Sequence, residues 1–165
     1  MSRTELSQQV YDRLQQIYVL LDDGDRRSLA PVGLTPTQYN LLRRLDRPDA
    51  ASMTVTGLAA ALLCTRGNVT RLVQRLQQLG LVRTVADPDD QRLVRVALTE
   101  EGARRLAAAR AVHTAVTQRR LGGLDREQLR ALRDLTAVAA DLLAKDLIEH
   151  PADSPPASLR PGRTP

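Results

Sequence analysis

Phenylalanine and tryptophan are absent from these 165 residues, and tyrosine occurs three times. A sandwich with aromatic inner faces is therefore excluded, and Leu, Ala and Val packing between helices is favoured. One cysteine, Cys64, has no partner for an intramolecular disulfide and cannot build a cysteine-based zinc site. That thiol and two distant histidines supply no nucleophile–base–orienter set. No glycine-rich phosphate loop, metal cluster or distinctive carboxylate pair occurs either, so neither an enzyme nor a metal or other cofactor is expected. No apolar run approaches the length of a membrane span. The opening MSRTELSQQVYDRL is polar, without a signal core, so a cytoplasmic protein is the expectation.

Lysine is also nearly missing. Of the 24 bases, 23 are arginine, which a G+C-rich genome produces as readily as selection for phosphate binding. The placement of charge is more informative than its sum. Residues 1–53 hold seven bases and seven acids, and residues 100–165 hold eleven and nine. Residues 54–99 hold six arginines against three aspartates, all within Asp87–Asp90. A local positive footprint of this kind suits a polyanion partner.

Within that segment, CTRGNVTRLVQRLQQL (Cys64 to Leu79) reads as a helix. Val69, Leu72, Val73, Leu76 and Leu79 form an apolar stripe, and Thr65 is a candidate N-cap. The other face carries Arg66, Asn68, Thr70, Arg71, Gln74 and Arg75 with no acid, and these side-chain types read base edges and grip phosphates. A short helix from Gly57 to Leu63, capped by Thr56, precedes it across a tight turn, giving a helix-turn-helix. Gly80 closes the second helix. Leu81 to Ala86 and Arg92 to Leu98 alternate as strands around the turn cluster Asp87-Pro88-Asp89-Asp90-Gln91, a hairpin placed as a wing.

Helical stretches flank this module. Residues 4–29 carry Leu6, Val10, Leu14, Ile17, Leu21 and Leu29 along one side, with Asp22-Asp23-Gly24-Asp25 expected to kink or fray the helix. Thr35-Pro36-Thr37-Gln38 starts a second helix as a capping box with proline at its first position, and Pro48 stops it. Met53-Thr54-Val55 reads as a short extended piece. Thr99 caps a helix running to about Leu121, and Asp125 with Gln128 starts a last one after Gly122-Gly123. PADSPPASLRPGRTP, with five prolines in fifteen residues, is expected to be disordered. The apolar stripes of 4–29 and 103–146 exceed what one small module can cover, which points to an isologous homodimer. Two recognition helices would then lie about 34 Å apart, matching a pseudo-palindromic site on double-stranded DNA.

The pieces GLTPTQYNLLRRL, LAAALLCTRGNVTRLVQRLQQLGLV and DPDDQRLVRVALTEEGARRL resemble the MarR (multiple antibiotic resistance regulator) family. The family's wing pattern, Asp-x-Arg followed by Val-x-Leu-Thr, is met by Asp90, Arg92, Val96, Leu98 and Thr99. The resemblance implies a mainly α fold with a small β-hairpin wing: one MarR-like domain over 1–150, its winged helix-turn-helix over about 35–99. It implies a homodimer whose second module helix enters the major groove and whose wing arginine, Arg92, enters the minor groove with Asp90 holding it. Thr65, Arg66, Asn68, Thr70 and Arg71 match positions that face DNA, while Gln74, Arg75 and Arg83 suit the backbone. It further implies a repressor released by a small aromatic or lipophilic ligand seated where the first, second and fifth helices meet the DNA-binding lobe. Three departures stand out: the Asp22-Asp23-Gly24-Asp25 break in the first helix, Ala60-Ala61 where charges are common, and Leu79 where lysine is frequent.

Among single residues, Tyr18, Tyr39 and His113 are candidates for the ligand pocket, against ordinary packing for the tyrosines and a solvated or hydrogen-bonded role for His113. Cys64 is read first as a small buried filler, and second as an oxidant sensor at a helix N-terminus. Two further classes stay open: a non-specific DNA-packaging protein and a winged module for protein contacts. Sequence selectivity against competitor DNA separates them from a regulator.

Overall fold

The computed structural model describes residues 1–47, 53–87 and 93–150. Pro48, the hairpin tip with Asp90 and Arg92, and the proline-rich tail fall outside the described residues. Six α-helices are present among them: α1 (Arg3–Leu29), α2 (Pro36–Leu45), α3 (Val55–Ala61), α4 (Arg66–Gln78), α5 (Glu100–Leu121) and α6 (Arg126–Glu149). Three short strands, β1 (Met53–Thr54), β2 (Val82–Ala86) and β3 (Val94–Leu98), form an antiparallel sheet in the order β1-β3-β2. The chain divides into two units, Met1–Arg119 and Arg120–Pro165.

Caps set most helix starts where the sequence puts them. Ser2 and Glu5 form a capping box on α1, Thr35 and Gln38 on α2, and Asp125 and Gln128 on α6. Two expectations fail locally. The cap of α3 is Thr54, whose Oγ1 accepts from the Gly57 N–H at 3.1 Å, so α3 starts one residue before Thr56. And α1 runs unbroken through Asp22–Asp25. Asp22 pairs with Arg26 and Asp23 with Arg27, each at 2.8 Å and one turn apart, so the acids support the helix where Gly24 weakens it.

The core of the first unit is aliphatic. Leu29, Leu41, Leu42, Leu58, Leu76, Leu81, Leu106, Val69 and Val96 are all essentially inaccessible. The end of α1, helices α2, α3 and α4, strands β2 and β3, and the start of α5 all contribute to it. The hairpin register sets Val82 against Leu98 and Thr84 against Val96, which places Val82 and Val96 on the inner face.

One junction holds helix-turn-helix, sheet and α5 together. Gly80, at φ +70°, ends α4 in the left-handed conformation that glycine adopts without steric cost. The Gly80 carbonyl accepts from Thr99 Oγ1 at 2.6 Å, and the Leu81 carbonyl accepts from the Thr99 N–H at 3.1 Å. Thr99 Oγ1 also accepts from the Gly102 N–H at 2.9 Å, capping α5. At Gly102 a Cβ would lie 1.9 Å from the Leu81 carbonyl oxygen, so only glycine lets α5 approach this closely. Within the first turn of α5, hydrogen bonds from Arg104 and then Arg105 hold the Glu101 carboxyl below its usual titration range. Arg105 also reaches the Val32 carbonyl, linking α5 to the turn between α1 and α2.

In α6, by contrast, no residue is buried: Leu135, Val138, Leu142 and Leu147 are all at least 59% exposed. Along α1, Leu6, Val10, Ile17 and Leu21 are about half exposed, and only Leu29 enters the core.

Candidate nucleic-acid interface

From Thr54 to Ala86 the chain has no acidic residue, and it carries Arg66, Arg71, Arg75 and Arg83. The fold places all four guanidinium side chains at the surface. Thr65 is the N-cap of α4, its Oγ1 accepting from the Asn68 N–H at 3.3 Å. Val69, Val73 and Leu76 are buried, which directs Arg66, Asn68, Arg71, Gln74 and Arg75 to solvent. Thr70 is half-buried and donates to the Arg66 carbonyl at 2.9 Å, so its hydroxyl is turned to the helix backbone. Leu79, expected in the dry stripe, is 40% exposed, because the helix ends at Gln78 and the stripe ends with it.

Further contacts fix the orientation of α4. Gln77 donates to Thr84 Oγ1 at 3.2 Å, tying the helix to β2, the strand that carries Arg83. The turn from α3 passes through Leu63, a non-glycine residue at φ +50° and 76% exposed. Thr37, in the first turn of α2, lines an open groove with Cys64, Asn68 and Arg71. Thr37 was not among the residues singled out from sequence. The signal for it was its place beside the Thr35 cap, at a helix start packed against the recognition helix.

The base of the wing holds a second feature that sequence reasoning missed. Asp87 is buried, and its carboxylate accepts from Arg95 Nε on β3. Its backbone N–H donates to the Leu93 carbonyl at 3.0 Å, closing the hairpin one pair beyond Ala86 and Val94. A desolvated ion pair is costly to disrupt from one side, so this pairing fixes where the tip leaves the sheet. The wing pattern in the sequence points instead to Asp90 and Arg92. The register pairs Val85 with Arg95, which sets Asp87 diagonally across from that arginine, although the sequence assigns Asp87 to the turn.

Of the three pocket candidates, two meet. Tyr39 is buried, and its ring centroid lies 5.1 Å from that of His113 at a tilt of 31°. His113 Nε2 is 3.9 Å from Asp25 Oδ2, and its Nδ1 is 3.5 Å from Thr117 Oγ1. This cluster joins α1, α2 and α5. Tyr18 is 66% exposed on α1 and is not part of it. Cys64 corrects an expectation: it is exposed, not a buried filler, because the turn between α3 and α4 leaves the core at Leu63.

Residues 32–93 match the family model described as MarR family. The chain is 34% identical over 96 residues to the transcriptional regulator HosA of Escherichia coli O111:H-, a match covering 58% of this chain and 69% of HosA. The chain belongs to the MarR family. It is also 34% identical over 102 residues to the transcriptional activatory protein BadR of Rhodopseudomonas palustris, covering 61% of this chain but only 58% of BadR. A mutant MarR from E. coli, solved in complex with operator DNA, superposes with a TM-score of 0.74 at 23% identity, over 84% of this chain and 99% of that one. The chain thus has the winged helix-turn-helix fold of the MarR family, and it spans less than two thirds of BadR's length. Its relatives and fold are those of regulators, not enzymes. Among the described residues no helix is long and apolar enough to cross a membrane, and no cluster of three or more His, Cys, Asp or Glu could hold a metal ion.

Proposed function

We propose that this MarR-family chain acts as a homodimer on a pseudo-palindromic operator and represses transcription by occupying it. The observation that carries the reading is the exposed, acid-free face at the start of α4. Arg66, Asn68 and Arg71 reach base edges, with Thr65 and Thr70 beside them at the helix start. Gln74, Arg75 and Arg83 track the phosphates, and Arg92, held by Asp90, enters the minor groove. The exposed apolar stripes of α1 and α6 are the dimerisation surface, and residues 35–99 the DNA-binding lobe of a single domain over 1–150. The effector is a small aromatic compound bound where α1, α2 and α5 meet, stacking near Tyr39 and His113. It favours a spacing of the two α4 helices that mismatches the half-sites.

Selection from a random duplex library tests this. It should recover inverted half-sites centred about 10 base pairs apart, or a multiple of one helical turn. Unselective retention would instead indicate a packaging role.

The exposure of Cys64 beside the recognition helix supports a second reading, release by oxidants. Peroxide would then lower operator affinity in the native chain and leave Cys64→Ser unaffected. Equal responses of the two would end that reading.

A further inference from the structure

We infer that the outer face of α2 carries an oxyanion site, built by Asn40, Arg43, Arg44 and Arg47, that takes a phosphate group. The four residues fall at i, i+3, i+4 and i+7, which stacks them along one side of the helix and its end. With Ala61, Leu62 and Leu63 they line a cavity of 370 Å³. Asn40, Arg43 and Arg47 are exposed, and Arg44 is half-buried.

The neighbouring helix leaves this cavity open. Ala60 and Ala61 end the exposed side of α3 with methyl groups, so those two positions of α3 set no longer side chain on the rim. The carboxylate closest in sequence does not fill the cavity's role, because Asp46 accepts from Arg110 on α5 at 2.6 Å. Arg43 rests its guanidinium 5.9 Å over the Tyr39 ring, a contact that orients it without neutralising it. Arg44 and Arg47 have interactions of their own as well as lining the cavity. Guanidinium forks match phosphate oxygens two at a time. Favourable placement of cations in the last turn of a helix accounts for Arg43 and Arg44. It does not account for the short alanine rim.

Two sources of phosphate fit. Thr37, one turn earlier on the same helix, shares a groove with Asn68 and Arg71 of α4, so the arginine cavity continues the surface proposed to meet DNA. A backbone phosphate beyond the base-contacting segment could reach it, and this arm rests on the DNA reading. A free phosphorylated small molecule could reach it as well, and that arm does not.

The test uses the full-length chain, with pyrophosphate as the probe, and two variants: Arg43→Gln with Arg47→Gln, and Ala61→Glu, which sets a carboxylate on the rim. Titration calorimetry at low ionic strength should show saturable pyrophosphate binding to the native chain, weakened at least about tenfold in both variants, whose helical circular dichroism stays native. If the phosphate is that of DNA, the double variant should also lose roughly two units from the slope of log affinity against log salt on duplex DNA. A weakened pyrophosphate response with an unchanged slope assigns the site to a free phosphorylated ligand. A reduced slope without pyrophosphate binding assigns it to DNA alone. The inference is overturned if the variants match the native chain in both measurements. Should the native chain bind no DNA, the calorimetric arm decides by itself.

Discussion

Arg92 is the residue on which the sequence places the most specific demand. It belongs to the wing pattern, while its hairpin is anchored by a different pair, Asp87 with Arg95. Tip and anchor should therefore separate by mutation. Arg92→Ala is expected to weaken operator binding by roughly 1–3 kcal/mol, about tenfold to a hundredfold, with an unchanged melting temperature. Fluorescence anisotropy beside thermal denaturation checks this, and native affinity would remove Arg92 from the interface. Gly102 makes the opposite demand, on stability alone. Gly102→Ala puts a methyl group against the Leu81 carbonyl, and α5 must shift. Overpacking of this kind costs about 1–3 kcal/mol, so a melting temperature lower by several degrees is expected. An unchanged melting temperature would mean that the junction of α4, β3 and α5 is looser than described.

At the scale of elements, the turn between α3 and α4 is the strained part of the motif. Leu63 sits at φ +50° with its side chain largely in water, a conformation that costs a non-glycine residue about 1–2 kcal/mol. Leu63→Gly should thus leave stability equal or higher by roughly 1 kcal/mol, and a clear loss in thermal denaturation would show that Leu63 makes an unrecognised contact. The helices themselves were legible in the sequence because their signals are local. Thr35-Pro36-Thr37-Gln38, Asp125 with Gln128 and Gly80 act through hydrogen bonds and dihedral preferences within one turn of chain. The apolar stripe of α4 likewise foretold which arginines face solvent. What stayed hidden depends on partners across space. Asp22–Asp25 looked like a break, since the i+4 arginines that hold it in the helix weigh little against a glycine in a linear reading. The exposure of Cys64 follows from where the turn leaves the core, and the burial of Asp87 from strand register. The meeting of Tyr39 with His113 needed α2 and α5 packed together, 74 residues apart in sequence.

For the molecule as a whole, the imbalance of apolar surface drives the assembly argument. The first unit has a closed aliphatic core, whereas α6 buries no residue and α1 leaves Leu6, Val10, Val19, Leu20 and Leu21 exposed. Contiguous apolar faces of this length in a chain with high net charge mark an interaction surface. Light scattering after size exclusion should therefore give twice the chain mass at micromolar concentration, and Leu135→Glu on α6 should lower it toward the monomer. A native monomer would contradict the dimer. The central claim, that α4 reads sequence, is tested most directly by competition binding on a library-selected duplex against a scrambled one at physiological salt. The native chain should prefer the selected duplex by about a thousandfold or more, and Arg71→Ala should lose much of that preference while keeping its affinity for the scrambled duplex within roughly tenfold. Equal affinity of the native chain for both duplexes would contradict it.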